Sequence, residues 1–266
     1  MFFITGIIIA ALFLVSTSIP LLSWVLPFYK IKKLENADLK TKVIANVVAV
    51  AIIGWVDYKF LITYIGVFVS IEVLYLLFKK YGNKIEYFDR IFITSLIVGG
   101  LVCGYMYFNR VGLNISLENL KTLYIQKTEF SKPEIDMAFK YIKENFSYLV
   151  FLYMNVTVFL MYYFLNKEDF INWEVSYLWL VPYIALFFLE RYLALNNTLI
   201  LNGMNILKIV YSLYFVRIVT KALNEKIKQQ QLSFIVGVFL ALMSPEFAFI
   251  FGALASGIKI QVIKQK

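Results

Sequence analysis

Apolar stretches separated by short charged clusters run along the chain, at about Phe2 to Tyr29, Val43 to Val56, Phe60 to Phe78, Ile91 to Phe108, Tyr148 to Leu165, Val175 to Leu189, Asn197 to Val216 and Leu232 to Ile263. A helix crosses the roughly 30 Å hydrocarbon core of a bilayer in about 20 residues. The first stretch exceeds one crossing: at 1.5 Å per residue it would reach about 42 Å, and Pro20 interrupts it. Ser244-Pro245-Glu246 breaks the last stretch in the same way and invites a turn. The pattern predicts an all-α fold, a polytopic transmembrane helix bundle of about 8 to 10 spans in which Pro-broken hairpins form both ends.

Residues 1–266 read as a single integral membrane domain, with N-terminal helices over 1–109, an external and partly helical loop over 110–146, and C-terminal helices over 147–266. Within the loop, Ser131-Lys132-Pro133-Glu134 fits a capping box with proline in the first turn. Ile135, Ala138, Phe139 and Ile142 follow at helical spacing. This predicts an interfacial helix over the outer mouth of the bundle, with a lid over a ligand cavity as the functional alternative.

Composition sharpens the class. Hydrophobic residues make up 61% of the chain, against about 45–50% in a soluble domain, so hydrocarbon is the solvent for most of it. The net charge is +9. Its basic residues sit at span ends without nucleic-acid motifs, which points to the membrane surface and away from DNA or RNA.

Lysine and arginine also set an orientation. With the clusters at Lys30 to Lys42, Lys79 to Arg90 and Arg217 to Lys228 on the cytoplasmic side, Lys167, Lys259, Lys264 and Lys266 join them if the terminal stretches are hairpins, giving seventeen basic residues inside against eight outside. Both termini are then cytoplasmic. Trp24, Trp55, Trp173 and Trp179 read as anchors at the membrane interface.

One cysteine, Cys103, and no histidine argue against disulfides, tetrahedral zinc and histidine-based nucleophilic catalysis. No metal or cofactor is expected, and the chain reads as a non-enzyme. The residues that stand out are polar groups within apolar stretches. Glu72 lies well inside the third stretch, and Lys208 occupies a comparable depth in the seventh. An unpaired charge at that depth is costly, so the two are expected to pair with each other. Asn202, Asn205, Lys208 and Ser212, spaced by three, three and four, form one polar stripe on a helix. Glu72, Asn202, Asn205, Lys208 and Ser212 are therefore the candidate ligand-binding residues, helix packing being the alternative role. Small residues four apart recur at Gly6 and Ala10, Ala45 and Ala49, Gly100 and Gly104, and Gly252 and Ser256, and permit close helix approach.

Three features carry a family resemblance. They are the N-terminal hairpin broken at Pro20 and Pro27 and ending in a basic loop, the mid-chain external loop, and the stretch Asn197-Thr198-Leu199-Ile200-Leu201-Asn202-Gly203-Met204-Asn205 leading through Tyr211 to a basic loop. The chain resembles the YybS-like family of uncharacterised bacterial integral membrane proteins, and its layout is distantly similar to the substrate-binding S components of energy-coupling-factor transporters. The resemblance implies a multi-pass protein of the bacterial cytoplasmic membrane, a small-molecule cavity open to the outside, and a coupling-ATPase or other membrane-protein partner. In S components the first helix meets the coupling subunit through small residues, for which only Gly6 and Ala10 stand here. The leading expectation is thus a solute-binding subunit of an uptake system. The competing one is a membrane scaffold that assembles envelope or signalling complexes without a ligand.

Overall fold

The computed structural model describes residues 2–82, 84–166, 173–193 and 197–258. Lys167, Lys259, Lys264 and Lys266, which entered the charge count above, lie outside them. Described residues are almost entirely helical: α1 (Phe2–Ser18), α2 (Val25–Leu34), α3 (Leu39–Val56), α4 (Tyr58–Tyr81), α5 (Tyr87–Phe108), α6 (Arg110–Lys127), α7 (Lys132–Glu144), α8 (Phe146–Leu165), α9 (Leu180–Leu193), α10 (Thr198–Ile227), α11 (Gln230–Met243) and α12 (Pro245–Ile258).

Five of these, α3, α4, α5, α8 and α10, are long and apolar enough to cross a membrane. The α11–α12 pair, bent by 114° at its break, makes a sixth if counted as one span. The expectation of eight to ten crossings also counted the stretches that became α1 and α9, which at 17 and 14 residues fall short of a full crossing at 1.5 Å per residue. By length and composition, five or six of the described helices could span a membrane, which suggests a multi-pass membrane protein.

The chain divides into two compact units. Unit 1 comprises residues 1–85 and 90–172, and unit 2 comprises 86–89 and 173–266. In unit 1, α1 stops before Pro20, which has no N–H to extend the ladder, and a 3-10 turn over Pro20–Leu22 hands the chain to α2. The next helix, α3, opens on Asp38, whose side chain accepts the Thr41 N–H at 3.4 Å. The Thr41 hydroxyl on the same carboxylate holds it below the usual range. Asp57 caps α4 by accepting the Lys59 N–H at 2.9 Å. α1 lies directly on α3: a Cβ on Gly6 would stand 2.7 Å from the Val48 side chain and 2.8 Å from the Ala45 carbonyl oxygen, and Ala10, Ala45 and Ala49 are buried.

The segment after α5 folds as a helical pair. Ser131 starts α7 with the expected capping box, its N–H and hydroxyl both donating to the Glu134 carboxylate at 2.8 and 2.7 Å. α6 and α7 join through Lys121–Asp136 at 2.7 Å and Lys143–Glu118 at 2.8 Å. Val111, Ile115, Leu120 and Leu123 of α6 are exposed.

In unit 2, α10 runs for 30 residues, about 45 Å, and ends at Lys228, whose φ of 56° puts it in the left-handed region that commonly closes helices. Both α11 and α12 pack on α10. Gly252 makes the closest approach, since a Cβ there would stand 2.0 Å from the Tyr211 carbonyl oxygen.

Candidate functional site

A cavity of about 480 Å³ opens within unit 1, between the C-terminal end of α1, the first half of α4, the last turns of α5 and the first turns of α8. Its walls are largely apolar: Ile62, Val67, Phe68, Leu101, Val102, Met106, Val150, Met154 and Pro20. Hydroxyls come from Ser16, Thr17, Thr63, Tyr105 and Tyr153, and no Asp, Glu, Lys or Arg lines it.

Two irregularities of the backbone make the space. Residues Tyr64–Val69 of α4 form a π-helix, a wide turn that re-aims side chains and recurs at functional sites. The Ser70 hydroxyl donates to the Ile65 carbonyl at 3.3 Å, five residues back. Gly66 sits in this turn, and a Cβ added there would meet nothing within 4 Å. The other irregularity is the break at Pro20. Its carbonyl accepts from the Ser23 hydroxyl and, at 3.3 Å, from the Tyr153 hydroxyl of α8. Tyr153 also hydrogen-bonds Ser23, so α8 is tied to the corner between α1 and α2.

On the α4 side the cavity adjoins an aromatic cluster. Phe13 meets Phe60, Tyr64 and Phe68 edge-on at centroid distances of 5.9, 5.5 and 5.7 Å. One helical turn past Phe68 stands Glu72, and its partner is Lys30 of α2, at 2.5 Å. The Lys30 side chain is 1% exposed and that of Glu72 15%. Lys30 Nζ lies 5.2 Å from the centre of the Tyr64 ring. The sequence-based expectation that Glu72 pairs with Lys208 is therefore corrected. The break at Pro20 turns α2 back along α4 and buries Lys30, which read in sequence as part of a solvated basic loop.

Lys208 finds its counter-ion inside unit 2. It pairs with Glu246 at 2.8 Å and lies 6.0 Å from the centre of the Phe249 ring. Glu246 begins α12 just after the break at Ser244, so the chain turn delivers the carboxylate to a point about 15 Å along α10 from Thr198. The rest of the polar stripe also lies on α10. Ser212 donates to the Lys208 carbonyl at 3.0 Å; Asn202 is buried and Asn205 half-buried. None of Glu72, Asn202, Asn205, Lys208 and Ser212 lines the unit 1 cavity.

Two polar features escaped the sequence reading. Asp89, in the first turn of α5, is buried and accepts the Ser176 N–H at 3.2 Å and the Trp179 indole N–H at 3.0 Å. It thereby fixes the segment leading into α9. The cavity hydroxyls were also missed. Their signal was the run Ser16-Thr17-Ser18 ahead of a proline, at the same end of the fold as Thr63 and the glycine of α4.

Comparison with protein families, curated proteins and solved structures finds no match for this chain.

Proposed function

We propose that this protein is a non-enzymatic membrane component that binds a small molecule in the unit 1 cavity and delivers it through an uptake system with a partner. The cavity carries this reading. Its volume falls within the roughly 300–1,000 Å³ of small-molecule sites, and it has their character, apolar walls with a few polar groups.

Orientation follows from charge. The basic ends of α2 and α4, where Lys79 pairs with Glu35, lie at the opposite end of α4 from the cavity, about 20 Å by helix rise from Gly66 to Lys79. With those ends on the cytoplasmic side the cavity lies in the outer half of the membrane, as in the S-component-like arrangement. The sequence has no Walker motif, so energy would come from the partner. Gly6 and Ala10 do not offer that partner a surface, because α3 covers them.

A scaffold role is favoured by one observation: Gly100 and Gly104, one turn apart on α5, have nothing within 4 Å of an added Cβ, which leaves room for a helix from another protein. Native mass spectrometry of the full chain released from membranes separates the readings. A bound species that is lost in Gly66→Leu, with the melting temperature kept, is the expected result. An empty cavity in every preparation, with protein partners retained, would favour the scaffold.

A further inference from the structure

We infer that the unit 1 cavity is selective for a neutral amphiphile, an aliphatic molecule whose head group donates hydrogen bonds, of the long-chain alcohol or monoglyceride kind. This rests on the proposal that the cavity binds a small molecule and adds the class of that molecule.

Charge comes first. No Asp, Glu, Lys or Arg lines the space; Glu72 and Lys30, on α4 and α2, neutralise each other at 2.5 Å, and Lys59, one turn before Thr63 at the start of α4, lies outside the lining. An anionic or cationic head entering from water would lose its hydration and gain no counter-ion from the lining. A phosphate, sulfate or carboxylate ligand is thereby selected against.

Hydrogen-bond accounting then selects among neutral heads. A hydroxyl has one proton to donate and two lone pairs to accept with. Ser16 donates its proton to the Leu12 carbonyl at 2.7 Å, Thr17 to Leu14 at 2.8 Å, and Thr63 to Lys59 at 3.2 Å. Tyr153 is engaged with Pro20 and Ser23. Three oxygens from two helices are thus left offering lone pairs with no proton of their own. Ser16 is only 4% exposed, so Thr17 and Thr63 present the more accessible of these acceptors. A ligand hydroxyl satisfies such acceptors. An ether or ester oxygen in its place faces these three lone pair to lone pair and could accept only from the Tyr105 hydroxyl on α5.

The remainder of the wall is hydrocarbon and thioether, and Gly66 leaves the middle of α4 open where a side chain would fill it. That space suits an unbranched apolar body.

The test uses full-length protein in nanodiscs and three diazirine-bearing probes with one hexadecyl chain: the alcohol, its methyl ether and the sulfate. Photolabelled peptides are mapped by mass spectrometry. The alcohol is expected to label the α1, α4, α5 and α8 peptides about tenfold more than the ether or the sulfate, the scale of one buried hydrogen bond. Gly66→Leu, whose side chain projects into free space, should remove that labelling while the melting temperature stays. Equal labelling by alcohol and ether, or stronger labelling by the sulfate, would overturn the assignment of class. If native mass spectrometry shows a bound species that none of the three probes displaces, the class is again wrong while the binding reading stands. If no probe labels and the cavity is empty, both fall together.

Discussion

Lys30 and Glu72 show how a single residue's role is set by what the chain brings to it. Glu72 was legible in sequence as a charge at depth, but its partner was not, because Lys30 sits in a basic cluster that any hydropathy reading assigns to water. Removing one member of a buried pair leaves the other uncompensated at a cost of about 3–5 kcal/mol. Glu72→Gln should therefore lower the melting temperature of the purified protein sharply, and adding Lys30→Met should restore much of the loss. Lys208→Met should restore none of it, and rescue by that substitution would refute the pairing. Gly252 is the second residue-scale case. A methyl group there would collide with the Tyr211 carbonyl, so Gly252→Ala should destabilise by about 1–3 kcal/mol or more, read as a lowered detergent melting temperature. Gly100→Ala, facing open space, should be neutral or gain slightly from helix propensity.

At the scale of elements, the α6–α7 pair is a part of unit 1 held by exposed charges. Lys143 holds the Glu118 carboxyl below the usual range, the Lys121 ammonium does the same for Asp136, and the Ser131 side chain and N–H do so for Glu134. Each group binds its proton less readily folded than unfolded. Its contribution is thus fully present above the unfolded carboxylate values near 4 and is lost as pH falls through the lower folded values. Hydrogen exchange over 110–144, corrected for intrinsic rate, should be slow at pH 7 and accelerate below about pH 4. Added salt should weaken the pair at neutral pH. Unchanged protection at low pH would mean that the apolar contact of Tyr124 with Phe139 and the buried Ile135 hold these helices without the charges. Capping at Ser131 was legible because it depends on four consecutive residues. The hairpin's ion pairs were not, since Glu118 and Lys143 are 25 positions apart.

For the whole molecule, charge sets which ends of the helices are expected on which side. Basic residues cluster at the α2, α4 and α10 ends, so single cysteines placed in a Cys103→Ser background should divide cleanly. Those at Lys33 and Lys84 should resist a membrane-impermeant maleimide in intact cells, whereas those at Tyr58 and Val111 should react. The reverse pattern would invert the topology and place the cavity in the inner leaflet. The tryptophans do not act uniformly as interface anchors. Trp55 is 91% exposed at the end of α3, as an anchor should be, but Trp173 is buried, stacked on Phe88 at 4.4 Å and 5.5 Å from the Arg217 guanidinium.

The sequence by itself determined that several helices are long and apolar enough to cross a membrane, that the chain breaks at Pro20 and Ser244, how α7 begins and that Glu72 is largely buried. Each of these is a property of a short window, set by the apolar content of about 20 residues or by the missing N–H of one proline. Only the tertiary structure decided which charges pair, that Gly6 and Gly252 serve contacts within the fold, and that the cavity forms between α1, α4, α5 and α8. Those outcomes depend on residues such as Lys30 and Glu72, 42 positions apart, meeting after the chain has turned back. Helix rise and hydropathy constrain depth along one axis, and the azimuth of each helix is set by the neighbours against which it packs.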